Sequence, residues 1–425
     1  MGKNSTIWMM ILFYLTTNVS AQNSGPYLLK MSKRYDPPGR FEAGNIIEDG
    51  KGGIIQINTF EGKQFSFQQF SSGLKLEKEI SIDMKDKIQN VTHFERMVAL
   101  KTKKYVFLRD VRKDANTEGI TALEFIPSNL ELSFVPVPLF QSSFKVINER
   151  DLNRQNKTYE FFISEDKSKF LYKYTLVPKV KSNSTSKKMI GLHVFDENLQ
   201  KIWGGEFEMP YTENRMKITD CKFTFDGSVY LLIKVLKENT VDLIGNYHYE
   251  VLTFQKNNTD QKPIVLNVGQ YTPITAFLYE DEAHEVHVVN TYAKQHEGKT
   301  IYDVANGICF GKIVGNEYVP DPLKPGFYEI PLDAISQGAS EKEMKMLKKD
   351  PDRIGIENLN IRNVYRMPDG STKIIAEDYD IGYSGTTDLS SHPVTFARDV
   401  VIFSIDVNGK LEWVRVVPKN QVWGD

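Results

Sequence analysis

The sequence predicts an all-β fold: a β-propeller of about six (six to seven) four-stranded antiparallel blades. Three observations carry that expectation. Val, Ile, Tyr, Phe and Thr recur in short alternating runs, while helical periodicity is nearly absent. A motif of strand, tight polar turn and more apolar strand returns six times. The chain has 425 residues, which is long for one core unless sheets are stacked as repeats. Small twisted sheets have two apolar faces. Stacking them around an axis buries both faces and hides the strand edges.

Each unit opens with a hairpin. The first joins Asn45-Ile46-Ile47 through Asp49-Gly50 to Gly53-Ile54-Ile55-Gln56-Ile57, and the second turns at Lys101-Thr102-Lys103 into Tyr105-Val106-Phe107-Leu108. The third turns at Glu165-Asp166-Lys167 into Phe170-Leu171-Tyr172-Lys173-Tyr174. The fourth turns at Asp226-Gly227 into Val229-Tyr230-Leu231-Leu232-Ile233, and the fifth at Glu280-Asp281-Glu282 into Glu285-Val286-His287-Val288-Val289. The sixth turns at Asp369-Gly370 into Lys373-Ile374-Ile375-Ala376. Asp-Gly pairs between apolar runs are hairpin signals because the turn needs a positive φ.

A second hairpin completes each unit. The clearest are Gly191 to Phe195 turning at Asp196-Glu197-Asn198 into Lys201-Ile202-Trp203, and Val400 to Ile405 turning at Asn408-Gly409 into Lys410 to Val414. Trp203 and Trp413 are expected to cover the edges of blade cores. The interval before the sixth unit is stretched by an insertion. Ser340-Glu341-Lys342-Glu343 is a capping box, and Met344, Met346 and Leu347 continue one short helix to Asp350, stopped by Pro351.

The organisation follows. Residues 1–21 read as a signal peptide: Lys3, an apolar run from Ile7 to Leu15, then Val19-Ser20-Ala21 before Gln22. That run is shorter than the ~20 residues a membrane-spanning helix needs. Residues 22–40 form an N-terminal extension in which Tyr27 to Lys30 could close the ring as an extra strand. Residues 41–425 form the propeller domain. The expected location is secreted or periplasmic, with no membrane insertion after signal cleavage. A net charge of −2, from 53 basic and 55 acidic residues well mixed, argues against a nucleic-acid partner. Two cysteines, Cys221 and Cys309, are too few for a disulfide framework and read as buried thiols.

The layout resembles uncharacterised secreted β-propeller-like repeat proteins of Bacteroidota. The residues that carry it are Ser20-Ala21-Gln22, Phe195-Asp196-Glu197-Asn198-Leu199 with Trp203, Phe225-Asp226-Gly227-Ser228-Val229-Tyr230, and Asn408-Gly409-Lys410-Leu411-Glu412-Trp413 with Pro418-Lys419-Asn420-Gln421. In proteins of this look the chain continues past that last segment. The resemblance implies no activity for any residue.

Chemistry is expected on the loops between hairpins, at the end of the ring opposite the tight turns. The long ones are Lys181 to Lys188, Lys237 to Asn246, Ala293 to Asn306 and Tyr379 to Ala397. The last holds the candidate ligand-binding residues Tyr379, Asp380, Tyr383, Asp388 and His392, since aromatic rings beside polar groups suit sugar or peptide recognition. No cofactor and no metal is expected. His284 and His287 are three apart at a strand start, which points them to opposite faces. Asp226-Gly227 and Asp369-Gly370 lack the alternating acidic ligands of calcium loops. Phosphate-cradling, dinucleotide and nucleophile-elbow motifs are missing. The expected function is a non-enzymatic binding or scaffold protein of the cell envelope that recognises a protein or glycan through these loops. The alternative is a polysaccharide-acting hydrolase or lyase with acidic residues at the central mouth. Such carboxylates would come from separate blades and leave no linear spacing.

Overall fold

The structure is a computed structural model, and it describes residues 42–60, 64–84, 93–112, 117–147, 159–177, 185–238, 242–257, 262–294, 304–336, 341–349, 354–384 and 392–424. The expected signal peptide and the extension with Tyr27 to Lys30 lie outside them. Among the described residues the fold is all-β apart from two short helices, and each predicted unit is one antiparallel sheet with strands in chain order. The first sheet comprises β1 (Glu42–Glu48), β2 (Ile54–Phe60), β3 (Gln64–Phe70) and β4 (Leu76–Asp83). The second has β5 (His93–Ala99), β6 (Lys104–Arg112), β7 (Thr117–Ile126) and β8 (Glu131–Leu132), with β9 (Val137–Gln141) also paired to β7. The third has β10 (Glu160–Ile163), β11 (Lys169–Leu176), β12 (Lys187–Asp196) and β13 (Lys201–Thr212). The fourth has β14 (Met216–Phe223), β15 (Val229–Leu236), β16 (Tyr247–Phe254) and β17 (Ile264–Val265).

The fifth sheet has β18 (Thr272–Glu280), β19 (Val286–Ala293), β20 (Gly307–Val314) and β21 (Glu317–Pro320), with β22 (Phe327–Glu329) on β20. Helices α1 (Leu332–Ser336) and α2 (Glu341–Lys349) follow. The capping box anticipated α2. The one-helix expectation missed α1, whose 5 residues are too few to show a helical period. The sixth sheet has β23 (Leu359–Arg366), β24 (Thr372–Ser384), β25 (His392–Ile405) and β26 (Leu411–Val417), with β27 (Gln421–Gly424) on β25.

One turn design recurs. Asp49 Oδ1 accepts the amides of Lys51 and Gly53 at 2.7 and 2.9 Å. Asp196, Asp281 and Asp406 each accept the amides two and four residues on in the same way. The residue three after each Asp is left-handed: Gly52 (φ +83°), Leu199 (+66°), His284 (+61°) and Gly409 (+77°). A short carboxylate that satisfies two turn amides fixes the register of the hairpin it closes.

The sheets pack face to face in chain order. Ile55, Ile57, Phe65 and Phe67 of the first sheet bury against Val106, Leu108, Leu123 and Phe125 of the second. Phe107 and Ile120 continue to Phe170 and Tyr172 of the third sheet, and Leu192 and Val194 to Leu231 and Ile233 of the fourth. Leu232 and Val251 meet Leu278 and Val288 of the fifth, and Val289 and Ile308 meet Ile374 and Val401 of the sixth. Among the described residues no buried cluster joins the sixth sheet to the first.

The first strands lie on the inside of this stack: β1 runs beside β5, β14 beside β18, and β18 beside β23. Each of these five strands has a register shift. Bulges re-aim side chains, and here three residues at the shifts reach the next sheet. Asn45 Oδ1 accepts the Met97 amide at 3.1 Å, Asp220 Oδ2 accepts the Leu278 amide at 2.8 Å, and Thr275 Oγ1 donates to the Leu359 carbonyl at 3.1 Å. Trp203 is buried in the third–fourth interface and donates its Nε1 proton to the Gly227 carbonyl. Cys221 and Cys309 are both free thiols, Cys309 buried and Cys221 half-buried.

Candidate functional site

The connections β15–β16 and β24–β25 leave the stack at the end opposite the Asp turns, and a cavity lies there. It measures about 740 Å³, inside the usual size range of ligand pockets. Three inner strands wall it. β14 contributes Lys217, Thr219 and Asp220, β18 contributes Ile274 to Phe277, and β23 with the residue before it contributes Asn358, Asn360 and Arg362. Lys234, Asp242, Tyr247, Tyr249 and Asp380 complete the rim and floor. A second cavity of about 390 Å³, between the third and fourth sheets, shares Lys217, Thr219 and Asp220 with the first. A third of about 690 Å³ sits where β1, β5, β10 and β14 converge, and its walls include Ile47, Val98, Phe161 and Phe223.

The large cavity is lined by fixed polar groups. Asn360 donates its amide protons to the carbonyls of Asn358 and Tyr379 at 2.6 and 3.1 Å. The Arg362 guanidinium lies 4.1 Å over the Tyr379 ring and donates from Nε to Glu377 at 2.8 Å. Burial acts to raise the Glu377 carboxyl. The hydrogen bonds from Lys419 and Arg362 outweigh it and hold the group below the ordinary carboxylate value. Lys234 sits 3.6 Å over the Tyr247 ring and pairs with Asp242. The Tyr247 and Tyr249 hydroxyls both donate to the Ile274 carbonyl, and both residues line the cavity. Asp220 accepts two backbone amides, from Cys221 and Leu278, yet burial raises its carboxyl above the ordinary value.

The Tyr379 to Ala397 stretch is a long hairpin rather than a loop. β24 runs on to Ser384 and β25 starts at His392, with Tyr379 opposite Ala397 and Asp380 opposite Phe396. Tyr379, Ile381 and Tyr383 alternate with Asp380, Gly382 and Ser384, which is a strand period. Asp380 lines the cavity, and Tyr379 supports Arg362 behind it. Tyr383 and His392 occupy ladder positions further out, opposite Pro393 and Ser384. Asp388 lies outside the described residues. The central parts of the loops expected at Lys181 to Lys188, Lys237 to Asn246 and Ala293 to Asn306 also lie outside them.

Lys217, Asp220, Asn358, Asn360 and Arg362 sit on or beside strands, outside the loops on which chemistry is expected. A signal was present: Asn358, Asn360 and Arg362 alternate with apolar neighbours at the start of the sixth unit.

At the tight-turn end, His284 and His287 belong to different contact sets. His284 stacks on Phe225 at 4.1 Å and approaches Glu280, whereas His287 is buried against Asp281, Asp321 and the Tyr279 ring.

No family model and no curated protein matches the sequence. Solved structures overlap it only loosely. The β-propeller domain of the Trilobed protease from Pyrococcus furiosus is 9% identical, covering 90% of this chain and 95% of that one at a TM-score of 0.32. An endo-arabinase from Bacteroides thetaiotaomicron is 11% identical, covering 67% and 95% at 0.29. A PL25 ulvan lyase is 9% identical, covering 82% and 78% at 0.37. No functional residue carries across from overlaps of this kind. Among the described residues no helix is long and apolar enough to cross a membrane.

Proposed function

We propose that this chain is an exported carbohydrate-binding protein whose six sheets close into a ring, and that the cavity walled by β14, β18 and β23 takes an oligosaccharide. One observation carries the reading: a cavity of about 740 Å³ lined by immobilised amide, carboxylate and ammonium groups beside tyrosine rings. Sugar hydroxyls need donors and acceptors held in place, and sugar C–H faces need aromatic walls. Asn358, Asn360, Asp380 and Lys217 would meet hydroxyls, and Tyr247 and Tyr249 supply ring surface.

A glycan array probed with residues 22–425 tests the reading. Binding of a defined glycan is expected, weakened at least tenfold by Asn360→Ala and by Arg362→Ala with unchanged melting curves. Glycan binding indifferent to both substitutions would overturn it.

A second reading is favoured by Asp220. It lines both neighbouring cavities, and burial keeps its carboxyl inclined to hold a proton. Glycoside hydrolysis requires such an acid opposite a second carboxylate, and Asp242 and Asp380 are in the same cavity. Release of reducing ends from the bound glycan, abolished by Asp220→Asn with binding retained, would establish cleavage. Retained glycan without new reducing ends would leave the protein a binder.

A further inference from the structure

We propose that the tight-turn end of the fifth sheet holds a divalent transition-metal site, of the zinc class, formed by Asp281, Glu285 and His287 and oriented by Asp321. Ligand atoms of the first three all lie within 4.8 Å of one another. Glu285 immediately precedes β19 and His287 is its second residue. Residues two apart on a strand face the same side, so this pair shares a face, and Asp281 comes back toward it from the turn.

The turn itself prepares the carboxylate. Asp281 Oδ1 is occupied by the Ala283 and Glu285 amides at 2.9 Å each, which leaves Oδ2 directed at His287 Nε2, 3.2 Å away. Metal bonds of about 2.0–2.2 Å at tetrahedral angles place ligand atoms roughly 3.3–3.6 Å apart, so that spacing needs little adjustment.

The independent observation is on the other side of the ring. His287 Nδ1 lies 3.2 Å from Asp321 Oδ2, and residue exposures are 5% for His287 and 1% for Asp321. Neither of these two buried atoms has a hydrogen bond of good geometry. A carboxylate behind a histidine that has its other nitrogen toward a cluster of oxygen ligands is the usual second layer of a metal site, fixing tautomer and ring orientation. Asp321 is itself anchored by the Leu323 amide at 2.8 Å and lies 3.8 Å from Lys324. The Tyr279 ring stacks on His287 with centroids 5.0 Å apart.

Lys312 is the competitor. It stands opposite His287 in the ladder and pairs with Glu285. Metal binding would displace its ammonium from that carboxylate. One imidazole with two carboxylates suits zinc better than calcium, which prefers six to eight oxygens.

The test uses the full mature chain stripped with a chelator, then titrated calorimetrically with zinc alone and, separately, with calcium. One equivalent of zinc is expected, with weaker or no calcium binding. Glu285→Gln, at an exposed position beside the strand, should weaken zinc at least tenfold without changing the fold. Asp321→Asn should cost ten- to a hundredfold in affinity at unchanged stoichiometry. Lys312→Met should tighten binding. Absence of the zinc equivalent, zinc binding indifferent to Glu285→Gln, or a preference for calcium would each overturn the proposal. The glycan cavity is walled by the other end of β18, so glycan binding by Glu285→Gln should be unaltered.

Discussion

Asp220 Oδ2 accepts the Leu278 amide at 2.8 Å, so one carboxylate released by a bulge in β14 ties the fourth sheet to the fifth. Asn45 does the same for Met97 between the first and second sheets. A bulge costs one ladder bond and returns an inter-sheet one.

Asp220→Ala should therefore destabilise the fold by about 1–3 kcal/mol, since the Leu278 and Cys221 amides lose their acceptor. Urea unfolding monitored by tryptophan fluorescence measures it. Burial raises this carboxyl, so the native state holds its proton to higher pH than the unfolded chain does. That contribution is complete below the unfolded value and is lost as pH rises through the folded one. Asp220→Asn should flatten the stability profile over that range.

His193 should set an acid limit on stability. Burial, and secondarily Lys201, lower its imidazole to about 3 from an ordinary 6.5. The ring stacks on Phe140 with centroids 4.4 Å apart and shares a 3.0 Å hydrogen bond with the Tyr174 hydroxyl. A depressed histidine stabilises the fold above pH 6.5, and the contribution is lost progressively as pH falls toward 3. Melting curves across this range should show a decline that His193→Gln makes shallower.

Gly191 is expected to reject any side chain. It pairs with Tyr174 across the β11–β12 ladder, and a Cβ on it would fall 2.0 Å from the Tyr174 ring. That ring is 2% exposed and hydrogen-bonded to His193 and Glu206, so it cannot swing away. Gly191→Ala should cost about 1–3 kcal/mol by overpacking, while Gly205→Ala, where the nearest atom is 3.7 Å away, should cost less. Paired denaturation curves decide between them.

Trp203→Phe should lower stability by about 1 kcal/mol through the lost bond to the Gly227 carbonyl, with the apolar contacts retained. A loss above about 3 kcal/mol in chemical denaturation would mean that the indole also fixes the packing of the third sheet on the fourth.

The strands, their turns and helix α2 were legible in the chain because each is dictated within a few residues. Asp49-Gly50, Asp226-Gly227 and Asp369-Gly370 mark turns through their own φ preferences and side-chain acceptors, and alternation marks the strands between them. The β24–β25 hairpin extends through residues that read as loop in the sequence, because Gly382, Ser384 and Gly385 interrupt the period of two.

The cavity and the Asp281, Glu285 and His287 cluster were not legible in the same way. Lys217, Asp220, Asn360 and Arg362 come from two sheets, and Asp321 reaches His287 across 34 residues of chain. Local sequence determines which backbone segments extend and where they reverse. Which side chains then meet is decided by how six sheets stack and where their inner strands bulge. That is a matter of burial and long-range packing, which leaves no fixed spacing for a reader of the sequence to find.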